Sequence, residues 1–348
     1  MSLVNTLTQP LRETYKNRLD KNEDRSSRYG ALTTFVAQTA SAESILSDEV
    51  QGLIKESFGN SVEIPVIDSE AVTIGDTRSC SVVDSENTSN IITLSFTTYA
   101  WGFSMVPAQH YNNDVKYQQD FERKFRRYWN QFQADLDNQC IAQMEADKNQ
   151  FFPTEITSYY PEVAGALQVP QAEKEDFYNQ LGSIMQEMDF YDGGFDVVHN
   201  PREAANVRRY AAQGSGNSTN LAFQLPGYAY SQTNRITNGT GVESTLYSFQ
   251  QGSVAIQNRN DADSILGSSV GEVIEWDEIE VPLEDGGSMM IGSKYSKSCA
   301  DESAKQGGAS EASLREEFQF STDVVTITAY NSDAVNTYSP VVKFEIMS

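Results

Sequence analysis

Residues 113–150 read NDVKYQQDFERKFRRYWNQFQADLDNQCIAQMEADKNQ, a run with neither Pro nor Gly. Its large apolar residues are Tyr117, Phe121, Phe125, Tyr128, Trp129, Phe132, Leu136, Cys140, Ile141 and Met144. They recur every three or four positions and form one stripe on a helix of period 3.6. Asn113 can cap the first turn. Phe152-Pro153 closes the run, because the residue before Pro is pushed out of the helical region. At ~1.5 Å per residue the helix would reach on the order of 55 Å, well beyond the usual globular length. Two roles fit such an element: a buried core helix of a two-domain protein, or a backbone spanning a flat, elongated subunit.

Outward from this helix, the chain has 348 residues, 39% hydrophobic and 11% aromatic, enough apolar material for two or three packed regions. No apolar run approaches membrane-spanning length. The first 25 residues, MSLVNTLTQPLRETYKNRLDKNEDR, lack the apolar centre of a signal peptide, so we expect folding in a cytoplasm. Cys80, Cys140 and Cys299 are scattered, which reads as reduced structural cysteine. The N-x-S/T matches at Asn87, Asn217 and Asn238 carry no weight without a secretion signal. Net charge is −24 and the pI near 4.4. So acidic a chain repels phosphate backbones, which argues against sequence-specific nucleic-acid recognition. Like charge also opposes self-association, an effect that salt screens.

Residues 1–40 are polar, with a short helix expected over Leu11–Asp20 and a Ser/Thr/Ala-rich stretch at 32–42; this reads as an arm held mainly by its neighbours. SAESILSDEVQGLIKESFGN, from Ser41, resumes helix, with Ile45, Val50, Leu53, Ile54 and Phe58 on one face and Gly59-Asn60 as its stop. VEIPVIDSEAVTIGDTRSC and NIITLSFTTYAWGFSMVP are rich in β-branched and aromatic residues and flank a polar, turn-rich piece, Asp76–Asn90. They suggest a long two-stranded excursion before the helix, marginal alone and in need of something to lie on; an ordinary hairpin within a sheet fits equally.

After the long helix, 171–189 is a second amphipathic helix with Phe177, Leu181, Ile184, Met185 and Met188 on one face. Phe195–His199 is a short apolar strand, followed by NPREAANVRRYAAQG. There Asn200 caps, Pro201 takes the first helical position, Glu203 completes a capping box and Gly214 stops the helix. Residues 215–348 read mostly as strands, so the fold class is α+β.

Chemistry is sparse. His110 and His199 are the only histidines. No zinc, nucleophile-elbow, phosphate-loop or dinucleotide motif occurs. Glu275, Asp277, Glu278 and Glu280 would suit a hydrolase pair or a calcium site. Alternating strand residues face opposite ways, however, and a charged strand edge explains the run better. We therefore expect no catalytic residue, no cofactor and no metal. Arg123, Lys124, Arg126 and Arg127 form a basic cluster on the long helix. It can pair with Asp120 and Glu122, meet an acidic neighbour, or face packaged nucleic acid.

The order of elements resembles the major capsid protein of tailed bacteriophages, the fold named for phage Hong Kong ninety-seven. NIITLSFTTYAWGFSMVPAQHYNND is similar to the return strand of that family's extended loop running into its spine helix. FDVVHNPREAANVRRY is similar to its axial-domain strand and helix. YSFQQGSVAIQNRND, EEFQFSTDVVTITAYNSD and PVVKFEIMS are similar to the later segments. The resemblance implies an N-terminal arm with short helices (1–60), an extended β-hairpin loop (61–112), and a spine helix with the start of a peripheral domain (113–170). An axial domain with peripheral strands (171–315) and closing peripheral strands (316–348) would follow. It implies many copies assembling as hexamers and pentamers into an icosahedral shell around double-stranded DNA. The partners it implies are the chain itself, a portal, scaffold or decoration proteins and non-specifically packaged DNA, but no membrane. The place is the virion capsid, assembled in the bacterial host cytoplasm. Phe96, Tyr99, Trp101 and Phe103, with Arg123, Lys124, Arg126 and Arg127, become candidate inter-subunit contacts. Some members crosslink through a loop lysine, but no Lys lies between Lys55 and Lys116, so a non-covalent shell is expected. Residues 1–44 are short for the family's cleavable scaffold segment. The competing readings are a β-rich carbohydrate- or surface-binding module, given the Tyr, Asn and Gln of the last third, and a hydrolase using acidic pairs.

Overall fold

The computed structural model describes residues 4, 7–9, 29–57, 59–67, 89–110, 116–174, 176–188, 194–207, 228–260, 272–283, 287–301, 312–329, 331–332 and 337–348. The helices are α1 (Gly30–Thr39), α2 (Asp48–Glu56), α3 (Tyr117–Ala146), α4 (Thr154–Thr157) and α5 (Phe177–Glu187). The first strands are β1 (Ser61–Ile67), β2 (Ser89–Ser95), β3 (Thr97–Met105), β4 (Glu162–Val163), β5 (Ala166–Val169), β6 (Phe195–His199), β7 (Tyr228–Gln232) and β8 (Val242–Gln250). They are followed by β9 (Val254–Arg259), β10 (Glu272–Pro282), β11 (Ser288–Asp301), β12 (Ala312–Thr328), β13 (Asn331–Ser332), β14 (Thr337–Tyr338) and β15 (Val342–Met347).

The long helix is α3. It runs 30 residues, or ~45 Å at 1.5 Å per residue. It begins at Tyr117, where the Gln119 side chain accepts from the Lys116 amide at 3.4 Å; Asn113 lies outside the described residues. The expected stripe is the buried one: Phe121, Phe125, Trp129, Phe132, Leu136, Cys140 and Met144 are all at most 3% exposed. Tyr128 departs from it and is exposed, because it sits beside the stripe rather than on it.

That stripe packs on a five-stranded sheet in which β10, β11, β12 and β3 lie side by side and β9 also pairs with β12. A six-stranded sheet follows the order β4, β5, β15, β8, β6, β7. Both β6 and β8 are buried along nearly their whole length, without alternation. Their two faces serve two cores. Val198, Tyr247 and Phe249 join the α3 core, while Phe195, Val197 and Leu246 join the core under α5 with Phe177, Leu181 and Ile184. Phe195, Val197 and Val198 supply the apolar part of FDVVH, while the buried Asp196 and His199 are hydrogen-bonded.

Several expectations are corrected. The polar stretch expected as an arm contains α1, whose Ala31, Leu32 and Phe35 are buried in the main core. Its apolar residues outweigh the Ser/Thr content around them. Gly30 lets it approach, since a Cβ there would meet the Gln232 carbonyl oxygen at 2.5 Å. In α2 only Ile54 is buried, while Leu53 is exposed and Ile45 precedes the helix; Ser47 caps it, its Oγ accepting from the Val50 amide at 3.4 Å. The helix expected over Leu11–Asp20 lies outside the described residues.

Residues 61–112 are not one two-stranded excursion. β1 pairs antiparallel with β2 from Ser61↔Ser95 to Ile67↔Ser89, but β3 leaves the hairpin at Phe96 and pairs with β12 from Val324↔Thr97 to Glu316↔Met105. The reason is side-chain period: Tyr99, Trp101 and Phe103 alternate with Thr98, Ala100, Gly102 and Ser104, and the three rings bury against α3. Each ring that leaves water this way contributes up to about 3 kcal/mol. The closing strands also divide, because β12 belongs to the five-stranded sheet and β15 to the six-stranded one. A boundary at 315/316 therefore falls inside β12.

Candidate functional site

The β1–β2 hairpin is a two-stranded sheet of its own. At its base Val62, Ile64 and Leu94 rest on a small cluster of Leu46, Ile54, Ala255 and Val325. Beyond that base, Ile91 is 67% exposed. Between the hairpin, the stretch leading into α2 and the end of α3 runs an apolar groove of about 930 Å³, lined among others by Ile45, Val50, Ile92, Ala142 and Ile327. A two-stranded hairpin of this kind is marginal alone and gains from further packing.

The eight contact candidates fall into two groups. Tyr99 meets Phe132 with ring centroids 5.5 Å apart and donates its hydroxyl to Gln139 at 2.8 Å. Trp101 lies 4.8 Å from Phe132 and Phe103 lies 5.3 Å from Phe121. Phe96 lies against the hairpin-base cluster, with the Arg259 guanidinium 3.8 Å from its ring centre. All four therefore pack within their own chain, and their half-exposed rims are what remains for a neighbour. Lys124 is also engaged, 3.0 Å from Asp120 and donating to the Ser104 carbonyl at 3.2 Å. Arg123, Arg126 and Arg127 are exposed and form no ion pair among the described residues. Together with the exposed Tyr128 they make a basic ridge on one side of α3.

The groups with catalytic potential are occupied with structure. His110 lies 3.8 Å from Asp120 and edge-on to Tyr117. His199 is buried, its Nδ1 2.8 Å from the Asn200 carbonyl. Asn200 caps the next turn through Oδ1, accepting from the Glu203 amide at 3.1 Å. The expected capping box is only half made, because the Asn200 amide donates to the Thr245 carbonyl and the Glu203 carboxylate accepts from Tyr178 and Ser244. Burial pushes the Asp137, Asp196 and Glu203 carboxyls above the usual range, and hydrogen bonds pull each part of the way back. Each joins elements: Asp137 ties α3 to α1, and Asp196 on β6 accepts from Gln38 on α1 at 2.5 Å. Among the described residues no three His, Cys, Asp or Glu side chains converge as metal ligands. The acidic run Glu275–Glu280 lies on β10, at the sheet edge. Cys140 is buried and unpaired, and Cys80 lies outside the described residues. No helix among the described residues is long and apolar enough to cross a membrane.

Asp137 and Arg259 are among the buried charged residues that sequence reading missed. An Asp in a helix stripe and an Arg ending an apolar strand are signals only once their partners are known.

The sequence matches no family model and no curated protein. The fold does match. A chain of the cyanophage Pam1 capsid asymmetric unit superposes with a TM-score of 0.52 at 11% identity, covering 93% of this chain and 94% of that one. A chain from Mycobacterium phage Che8 gives 0.50 at 11% identity, over 92% and 93%. At such identity the likeness is one of fold. The fold, with its separate hairpin, long helix and two sheets, is similar to that of these two phage chains.

Proposed function

We propose that this chain is the major capsid protein of a tailed bacteriophage, a structural subunit whose hexamers and pentamers close a non-covalent icosahedral shell around double-stranded DNA. The observation that carries the reading is the shared fold, which extends over nine-tenths of the chain. The hairpin supports it too. A two-stranded ribbon that leaves Ile91 67% exposed is marginal in water and gains stability by lying across a neighbour. Heterologous contacts of that kind generate closed rings. The rims of Phe96, Tyr99, Trp101 and Phe103 and the ridge of Arg123, Arg126 and Arg127 are the contact surfaces, with Lys124 already bonded within its own chain. Portal, scaffold or decoration proteins and packaged DNA are the remaining partners, and the site of action is the virion shell assembled in the bacterial cytoplasm. No step of this role calls for catalysis.

Sedimentation of the protein expressed in bacteria tests the reading. The proposal expects a fast fraction of very large particles in equilibrium with subunits or capsomers. A single slow boundary at every concentration would favour a β-rich surface-binding module instead.

A further inference from the structure

We infer that Arg259 is the positioning residue of the β1–β2 hairpin, the side chain that fixes the angle at which the hairpin leaves the body of the protein. Arg259 ends β9 and is 4% exposed. Its Nε and Nη2 lie 3.3 and 3.2 Å from Asp323 Oδ2 on β12, which anchors the guanidinium to the five-stranded sheet. The other donors reach the incoming chain. Nη1 donates to the Ser57 carbonyl at 2.5 Å and to Ser57 Oγ at 2.9 Å, and Nη2 donates to the Gly59 carbonyl. The outgoing chain is held from the same place. Phe96 presents its ring to the guanidinium face at 3.8 Å, and Thr98 donates to Asp323 Oδ1 at 2.6 Å. Ser57 and Gly59 precede β1, and Phe96 and Thr98 follow β2, so one ion pair grips both roots of the hairpin.

The chemistry explains why an arginine stands here. Its planar fork carries five donors in fixed directions and offers a face for an aromatic ring, whereas an ammonium has neither. The roots are also bonded to each other, the Phe96 amide donating to the Asn60 carbonyl at 2.9 Å. Gly59 turns the chain at φ +104°, a conformation that side-chain-bearing residues rarely adopt. Among the described residues the hairpin pairs with no third strand, so beyond its apolar base no ladder sets its direction. The buried fork does.

The consequence for shell assembly rests on the function proposed above, but the positioning role does not. It is tested on the unassembled full-length chain by hydrogen exchange with peptide resolution, comparing wild type with Arg259→Lys and Asp323→Asn. The expected result is exchange at least tenfold faster in peptides covering 57–64 and 92–99, with peptides covering 132–146 and 244–250 unchanged. If one variant fails to fold, the other decides. Root peptides that exchange at the wild-type rate, or that speed up only in step with the two core peptides, would overturn the assignment. Neither result bears on whether the chain forms particles.

Discussion

Asp137, in the middle of the long helix, accepts a hydrogen bond from the Leu32 amide at 3.0 Å and so caps the first turn of α1 from a distance of 105 residues in sequence. Its other oxygen accepts from the Thr233 hydroxyl and lies 3.8 Å from Arg235, whose guanidinium covers the Tyr29 ring. One fully buried carboxylate therefore joins α3, α1 and the end of β7. A negative group at a helix N-terminus is favourable, but its desolvation is not, and burial leaves the carboxyl raised above its ordinary value.

A sign follows for pH. A carboxyl whose folded value is raised binds its proton more tightly in the folded chain. The stability this adds is fully present below the ordinary Asp value of 3.8 and is lost as pH rises through the folded value. Asp137→Asn keeps an acceptor for Leu32 without the charge. It should gain stability relative to wild type as the pH is taken from 4 to 7.5, read as the difference in melting temperature. A difference that moves the other way would show that the charge is net stabilising.

Trp129 is fully buried among Trp101, Phe125 and Phe132, and its Nε1 donates to the Pro282 carbonyl at 3.2 Å. Trp129→Ala should cost about 3–5 kcal/mol in denaturant unfolding. Arg126→Ala, on the exposed ridge of the same helix, should stay within about 0.5 kcal/mol.

That ridge should matter for assembly instead. Replacing Arg123, Arg126 and Arg127 together by Glu changes the net charge from −24 to −30, three cations becoming three anions. The unfolding midpoint of the subunit should be little altered, while the yield of particles falls at least tenfold. An unchanged yield would remove the ridge from the contact surfaces.

Charge repulsion between subunits of −24 should be the main opposition to assembly. Screening shortens from about 10 Å at 0.1 M salt to about 3 Å at 1 M. Turbidity and light scattering should therefore show faster, more complete assembly as monovalent salt rises at constant pH. Particles that dissociate under that change would point to charge-paired contacts. With no Lys between Lys55 and Lys116, denaturing electrophoresis of those particles should give one band at 38.7 kDa rather than a covalent ladder.

Much of this architecture was legible in the residues. The α3 stripe and the α5 face carry periodicities that packing then uses as written. The misreadings share a cause. α1 was hidden because its burial depends on elements distant in sequence, α3 and β9 among them. The hairpin was overextended because β2 and β3 are both β-rich, and only pairing with β12 tells them apart. Arg259 was invisible because its meaning lies in Ser57, Phe96 and Asp323, which no local pattern brings together. Surfaces that meet other copies are harder still, since a neighbour leaves no periodic mark on the chain.

The central claim is most directly tested by negative-stain electron microscopy of the purified full-length protein across salt and protein concentration. The account predicts closed shells of uniform diameter or flat hexagonal arrays, with capsomers of five and six subunits. A monodisperse monomer or dimer under every condition would contradict it.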